Sequence, residues 1–293
     1  MSIVELLAGP YRLRLSPKGG AIVDGTYSGV PIFRPYPEAG RDGIDPLKCG
    51  SFPLVPFGNR VEENRFSFGG ATYALRPNTA WDRHYLHGDG WLSDWALTEA
   101  ATAHARMVLS VETDVYAYEA EQIFALDESG LKLTLRVTNR GQREMPFGLG
   151  HHPFFPLTPS TRLSAPARRF WSEKYDYLPD LEGPIPDDLD YSEPAGLPTR
   201  WINNGFEDWT GKARIEWPER GLALDLAAPG CSRYFLFRSD TDFDPDFKGD
   251  FFCFEPMTHT ANAHNLPGLS GLVGLGLGES HALQFGLAAQ PLS

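Results

Sequence analysis

Leu131-Lys132-Leu133-Thr134-Leu135-Arg136-Val137-Thr138 alternates apolar and polar residues without a break. A period of two puts the leucines and Val137 on one face of an extended chain, the pattern of a half-buried strand. Upstream lies Gln122-Ile123-Phe124-Ala125-Leu126, separated from it by Asp127-Glu128-Ser129-Gly130. Those four are turn-forming residues, so the two runs are predicted to pair as a hairpin. Phe66-Ser67-Phe68 and Thr72-Tyr73-Ala74-Leu75 flank Gly69-Gly70 in the same way. Further strands are expected over 11–15, 107–111, 213–217, 222–226, 234–237 and 251–254. No stretch carries apolar residues at the i, i+3, i+4, i+7 spacing of a long amphipathic helix. The 30 glycines and 25 prolines are spread along the chain and do not mark one linker. Many short strands with turns between them predict an all-β protein, a large antiparallel sandwich or barrel. Residues 175–199, rich in Pro, Asp and Glu, break the alternation and read as a surface excursion beside the active site. The whole chain, 1–293, is expected to form a single domain.

Lys and Arg number 26 against 38 Asp and Glu, a formal net charge of −12. Such a surface repels phosphate backbones and anionic lipids, so nucleic acid and membrane are not expected partners. Cys49, Cys231 and Cys253 are odd in number and widely spaced. They form neither a disulfide framework nor a zinc motif, which fits a reducing, cytoplasmic location. The N-terminus lacks the basic start and apolar stretch of a signal peptide, and no run is long enough to span a bilayer.

Four clusters carry candidate chemistry. In Phe57-Gly58-Asn59-Arg60, the fork of donors on Arg60 can hold a sugar hydroxyl or ring oxygen, or pair with Glu62 or Glu63. In His84-Tyr85-Leu86-His87-Gly88-Asp89-Gly90-Trp91, glycines around Asp89 imply a loop that a ligand can approach closely. There the imidazole of His87 suits hydroxyls and the face of Trp91 suits a sugar C–H face; the alternative places Trp91 in the core beside Trp95. In Gly148-Leu149-Gly150-His151-His152-Pro153-Phe154-Phe155, Pro153 holds His152 extended. Neighbours on a strand point to opposite faces, so only one of the two histidines can serve a given site. In Phe251-Phe252-Cys253-Phe254-Glu255-Pro256-Met257-Thr258, a carboxylate ends an apolar run. It is costly there unless paired or functional, and its pKa is expected to rise. A metal cluster of Glu255 with His259 and His264 is the weaker alternative, since it lacks the tight His spacing of metal-binding jelly rolls. Serine-hydrolase, zinc-protease and phosphate-loop motifs are absent from the sequence.

In this order, Asn59-Arg60, Leu86-His87-Gly88, Gly150-His151-His152-Pro153-Phe154-Phe155 and Phe254-Glu255-Pro256 resemble the aldose 1-epimerase, or galactose mutarotase, family. The resemblance implies a large β-sandwich with a sugar in an open cleft, and neither metal nor organic cofactor. It implies His152 as general acid, Glu255 as general base, and Arg60 and His87 as sugar-holding residues, with Asn59 and Trp91 alongside. Asn203, in Asn203-Asn204-Gly205-Phe206, aligns where the family usually has an Asp. Asn there is expected to add a donor to an acceptor-only contact. The nearby carboxylate is expected to keep His152 protonated. Two other functions compete: a sugar-phosphate epimerase, using Arg83, Arg168, Arg169 and Lys174, and a non-catalytic sugar-binding module.

Overall fold

The computed structural model describes residues 3–37 and 43–292. The 122–126 and 131–138 runs pair as read: the strands Ala117–Asp127 and Gly130–Asn139 are antiparallel, with Phe124 opposite Leu133 and Leu126 opposite Leu131. Gly130 closes the turn at φ +138°, and a Cβ there would lie 2.0 Å from the Leu287 carbonyl oxygen. Only glycine fits both constraints. The alternation translates directly into burial. Leu131, Leu133, Leu135 and Val137 are buried, while Lys132 and Arg136 are exposed.

Two large antiparallel sheets result. The first runs, in spatial order, Ala96–Ala101, His104–Glu112, Ala117–Asp127, Gly130–Asn139, Ser280–Pro291, Leu222–Ala227, Lys212–Trp217 and Arg162–Ser164. The second runs Pro179–Gly183, Arg169–Glu173, Ile202–Glu207, Arg233–Arg238, Phe251–Met257, Gly150–His151 and Pro53–Leu54, with Phe154–Pro156 also on Phe251–Met257. A four-stranded sheet, Val4–Ala8 to Val30–Pro31, adds to them. The expected strands all appear, and the Phe66 and Tyr73 segments form the hairpin across Gly69-Gly70. Helical structure among the described residues is confined to short 3-10 turns, and no helix is long and apolar enough to cross a membrane.

One cluster of buried apolar side chains extends from Leu6 to Leu287 and draws on both large sheets. The 175–199 excursion is less irregular than its composition implied. Pro179–Gly183 forms an edge strand on Arg169–Glu173.

Three histidines are part of this interior. His151 stacks on Phe285 with ring centroids 5.7 Å apart, and its Nε2 has no partner among the described residues. His259 Nε2 accepts the Gly58 N–H at 2.9 Å, so its Nδ1 bears the hydrogen directed at the Thr260 carbonyl, 2.8 Å away. His264 packs against Phe57 and Phe66, each at 4.5 Å. Burial pushes His151 and His264 down to about 3 and His259 to about 4.

Two outcomes follow from the packing. Leu135→Ala, at a fully buried position, is expected to cost about 2–5 kcal/mol in urea unfolding, and Arg136→Ala no more than about 0.5 kcal/mol. Because the three histidines are neutral when folded and take up protons when unfolded, their stabilisation is complete above roughly pH 6.5 and shrinks as pH falls toward the folded values. Thermal unfolding is therefore expected to shift steadily downward from pH 7 to pH 4; an unchanged midpoint across that range would contradict the buried neutral state.

Candidate active site

Many separate segments of the chain converge on one cleft of about 830 Å³. Glu255 comes from the middle of the second sheet, on Phe251–Met257, opposite Phe235. His152 follows the two-residue strand Gly150–His151, and its N–H bonds to the Phe52 carbonyl at 2.9 Å. The strand alternation separates the adjacent histidines as required. His151 turns into the core and His152 lines the cleft.

The imidazole of His152 packs against two adjoining phenyl rings, Phe52 and Phe154, each with its centroid 4.6 Å away and within about 30° of parallel, and 5.9 Å from each other. Its Nε2 lies 3.3 Å from Glu255 Oε1. Glu255 is 1% exposed, and neither its Oε2 nor His152 Nδ1 has a protein partner among the described residues. Burial pushes the Glu255 carboxyl well above the ordinary range, with the Arg60 charge opposing, and pushes His152 down to about 3. The rise at Glu255 matches the expectation, whereas the expected protonation of His152 is corrected: in the free protein desolvation outweighs the neighbouring carboxylate and favours the neutral imidazole.

His87 and Asn59 are held by a reciprocal backbone contact. Both sit at left-handed φ, +60° and +59°. The Asn59 N–H donates to His87 Nδ1 at 3.0 Å, and the His87 N–H donates to the Asn59 carbonyl at 3.0 Å. Because Nδ1 accepts, the neutral His87 ring carries its hydrogen on Nε2 and has a donor to offer the cleft. Gly88 lets the loop pass Val55, whose carbonyl oxygen would lie 2.2 Å from a Cβ at this position. Asn78, which no local motif marks, donates to the Leu86 and Gly88 carbonyls at 2.8 Å each and accepts the Leu86 N–H at 2.9 Å.

Arg60 pairs with neither Glu62 nor Glu63. Its Nε donates to Asp82 Oδ2 at 2.8 Å, and its guanidinium lies 4.9 Å from the Tyr177 ring centroid. Its two terminal nitrogens have no protein acceptor among the described residues, so donors remain for a ligand. Glu62 instead pairs with Lys174 at 2.6 Å.

Asn203 corrects one expectation. Its Nδ2 donates to Glu173 Oε2 and to the Tyr177 carbonyl. Both partners are acceptors, which fixes the amide orientation and uses both of its hydrogens. The side-chain oxygen is what remains for the cleft, so Asn203 offers an acceptor, as an Asp would.

Trp91 corrects another. It is 1% exposed, donates to the Leu86 carbonyl at 3.1 Å and stacks on Phe52 at 5.3 Å. It supports the ring beneath His152 and has no face on the cleft, whereas Phe154 lines it. His259 and His264 lie off the cleft wall, bonded to Gly58, Thr260 and Tyr116. They do not join Glu255, and no group of three metal-ligating side chains occurs among the described residues.

The aldose 1-epimerase family model matches residues 8–285. The uncharacterized Escherichia coli K12 protein YphB is 40% identical over 99% of both chains. A crystal structure from Escherichia coli K12, provisionally an aldose 1-epimerase, superposes with a TM-score of 0.95 at 40% identity, covering 99% of each chain. A galactose mutarotase-like protein from Clostridium acetobutylicum shares the fold, with a TM-score of 0.85 at 21% identity over 98% of this chain and 95% of its own. The architecture is thus a galactose mutarotase-like β-sandwich, and the chain belongs to the aldose 1-epimerase family.

Proposed function

We propose that the protein is a mutarotase that interconverts the α and β anomers of a neutral aldose, with Glu255 as base and His152 as acid. The observation that carries this reading is the 3.3 Å contact between His152 Nε2 and Glu255 Oε1 in the wall of a cleft that a ligand can enter. A cyclic aldose bears O1 and the ring oxygen O5 on the same carbon, C1. Two groups this close can reach both oxygens of one sugar.

Ring opening moves two protons and needs no external reactant. The Glu255 carboxylate takes the O1 proton as the C1–O5 bond breaks, and the His152 imidazolium protonates O5. The pair is left as a carboxylic acid and a neutral imidazole, and the sugar as an open-chain aldehyde. Rotation about C1–C2 presents the other face of the carbonyl. Neutral His152 then takes the proton from the C5 hydroxyl, O5 attacks C1, and Glu255 returns a proton to O1. The Arg60 charge favours the carboxylate form of Glu255 that starts the cycle. Arg60, His87 and Asn59 donate or accept around the ring, and the Asn203 oxygen accepts from a hydroxyl.

Charge in the cleft favours a neutral substrate over a sugar phosphate. Asp45, Asp82, Asp176, Asp242, Asp244 and Glu255 face Arg34, Lys48, Arg60 and Arg83, six carboxylates against four cations. Of the cations a phosphate would need, Arg83 pairs with Asp176 and Lys174 with Glu62, while Arg169 engages Glu182, Glu207 and Asp208. Arg168 does not line the cleft. A binding module has no use for a buried carboxylate that lacks a second partner, which is costly to keep.

Polarimetry of fresh α-glucose and α-galactose tests the reading. The wild-type chain is expected to accelerate equilibration, and Glu255→Gln to lose about 10²–10⁴ of that rate with its thermal unfolding retained. A Gln variant of near-wild-type rate would remove the mechanism. The pH dependence is a second test. In a dry site the doubly protonated pair (charge +1) and the fully deprotonated pair (−1) are both disfavoured. Activity is therefore expected to stay flat from about pH 5 to about pH 7, falling only outside that range. A narrow optimum bounded near 4.3 and 6.5, the ordinary Glu and His values, would contradict it.

A further inference from the structure

Arg34 lines the cleft near the catalytic pair. Its guanidinium carbon lies 4.0 Å from the ring centroid of Phe154 and 4.4 Å from that of Phe251. Phe154 is one of the two rings packed against the His152 imidazole, and Phe251 is on the strand that carries Glu255. One guanidinium therefore touches the ring that packs on the acid and a ring on the strand that bears the base.

The backbone tightens the same contact. The Arg34 N–H donates to the Phe154 carbonyl at 2.8 Å, and the Phe154 N–H donates to the Gly50 carbonyl at 2.8 Å. Gly50 permits the close passage, because a Cβ there would lie 2.7 Å from Phe33 Cβ. At the other end of the side chain, Arg34 Nη2 donates to the carbonyls of Leu47 and Cys49, the latter at 3.1 Å. These carbonyls end the 3-10 turn Pro46–Lys48, where the last carbonyls have no partner within the turn. Residues 33–34, 47–50 and 152–154 are thereby fastened into one unit. A planar guanidinium can lie on phenyl rings and donate to carbonyls at once, which neither an ammonium nor an aliphatic chain can do.

We infer that Arg34 is a positioning residue of this site: through Phe154 it holds the His152 ring at Glu255 in the geometry that proton transfer needs. The role rests on the proposed epimerase reading for the reaction it serves. Its charge adds a second effect. Burial does most to push His152 below its ordinary value, and the Arg34 charge pushes in the same direction. The titratable groups facing His152 are Glu255 at 3.3 Å and His87 at 5.1 Å between ring centroids, with the Arg60 charge acting on both. Asp45, Asp250, Cys49 and Cys253 face Arg34, and burial keeps the two thiols protonated. Removing the Arg34 charge eases a proton onto the pair, so the activity plateau moves to higher pH.

Two variants divide the roles: Arg34→Gln keeps an amide donor for the carbonyls and drops the charge, and Arg34→Lys keeps the charge and drops the plane. In polarimetry, Arg34→Gln is expected to lose about tenfold in kcat with KM changed by no more than about twofold. Its plateau is expected to move up by about 0.5–1 pH unit. Arg34→Lys is expected to lose kcat to a similar degree with the plateau in place. A raised KM with kcat kept would make Arg34 a direct sugar ligand and overturn the positioning role. A lowered melting temperature with wild-type kcat and pH profile would overturn it as well. Where Arg34→Gln does not fold, Arg34→Lys decides alone, and a wild-type kcat there overturns the role. Nitrogen-15 NMR of His152 needs no substrate and so separates this role from the epimerase reading. If the wild type accelerates no sugar, the epimerase reading falls. His152 ring signals displaced in both variants, with the protonation midpoint raised only in Arg34→Gln, would still uphold Arg34; signals identical in all three proteins would overturn it.

Discussion

The site depends on one constraint: an imidazole and a carboxylate, 3.3 Å apart, are both buried. Phe52 and Phe154 pack side by side against His152, and the strand that ends the apolar run Phe251–Phe254 buries Glu255. Dryness penalises any net charge on the pair, so one proton shared between the two groups is its favoured state. Placing that proton on nitrogen or on oxygen gives two forms that differ by a short transfer. Opening and closing a sugar ring uses the same exchange, with a substrate oxygen at each end.

The surrounding structure works to hold this pair and to present donors and acceptors of fixed identity. Trp91 stacks behind Phe52, and Phe52 stacks on His152, so a residue outside the cleft sets the orientation of one within it. The hydrogen on His87 is fixed by an N–H of Asn59, and the oxygen of Asn203 is turned toward the cleft by Glu173. Glu173 also accepts from Trp201 Nε1, so a single carboxylate fixes two side chains of the cleft wall. The half-buried carboxylate of Asp89 receives the hydroxyls of Tyr85 and Tyr118 just beyond the His87-Gly88 turn and braces that loop.

Much of the fold was legible because alternation reports burial directly, as in Gly130–Asn139 and its hairpin partner. The strands without a pattern are those whose two faces do not differ. Ala96–Ala101 is exposed throughout, and Ile202–Glu207 is buried throughout, so neither alternates. Of the site, the residues in short motifs could be named: Asn59, Arg60, His87, His152 and Glu255 all line the cleft. What could not be read were partnerships across long sequence distances. Asp82 holds Arg60 from 22 residues away, and Glu173 holds Asn203 from 30. No local signal marks such pairs. Trp91 sat in a convincing loop, yet only the packing reveals which side of Phe52 it occupies.

The most direct measurement is the titration of His152 and Glu255 themselves, followed by nitrogen-15 and carbon-13 NMR of the imidazole and the carboxyl. If burial makes them a one-proton unit, neither group changes its protonation between about pH 5 and about pH 7. A His152 that titrates with a midpoint near its ordinary 6.5, independently of Glu255, would contradict the account.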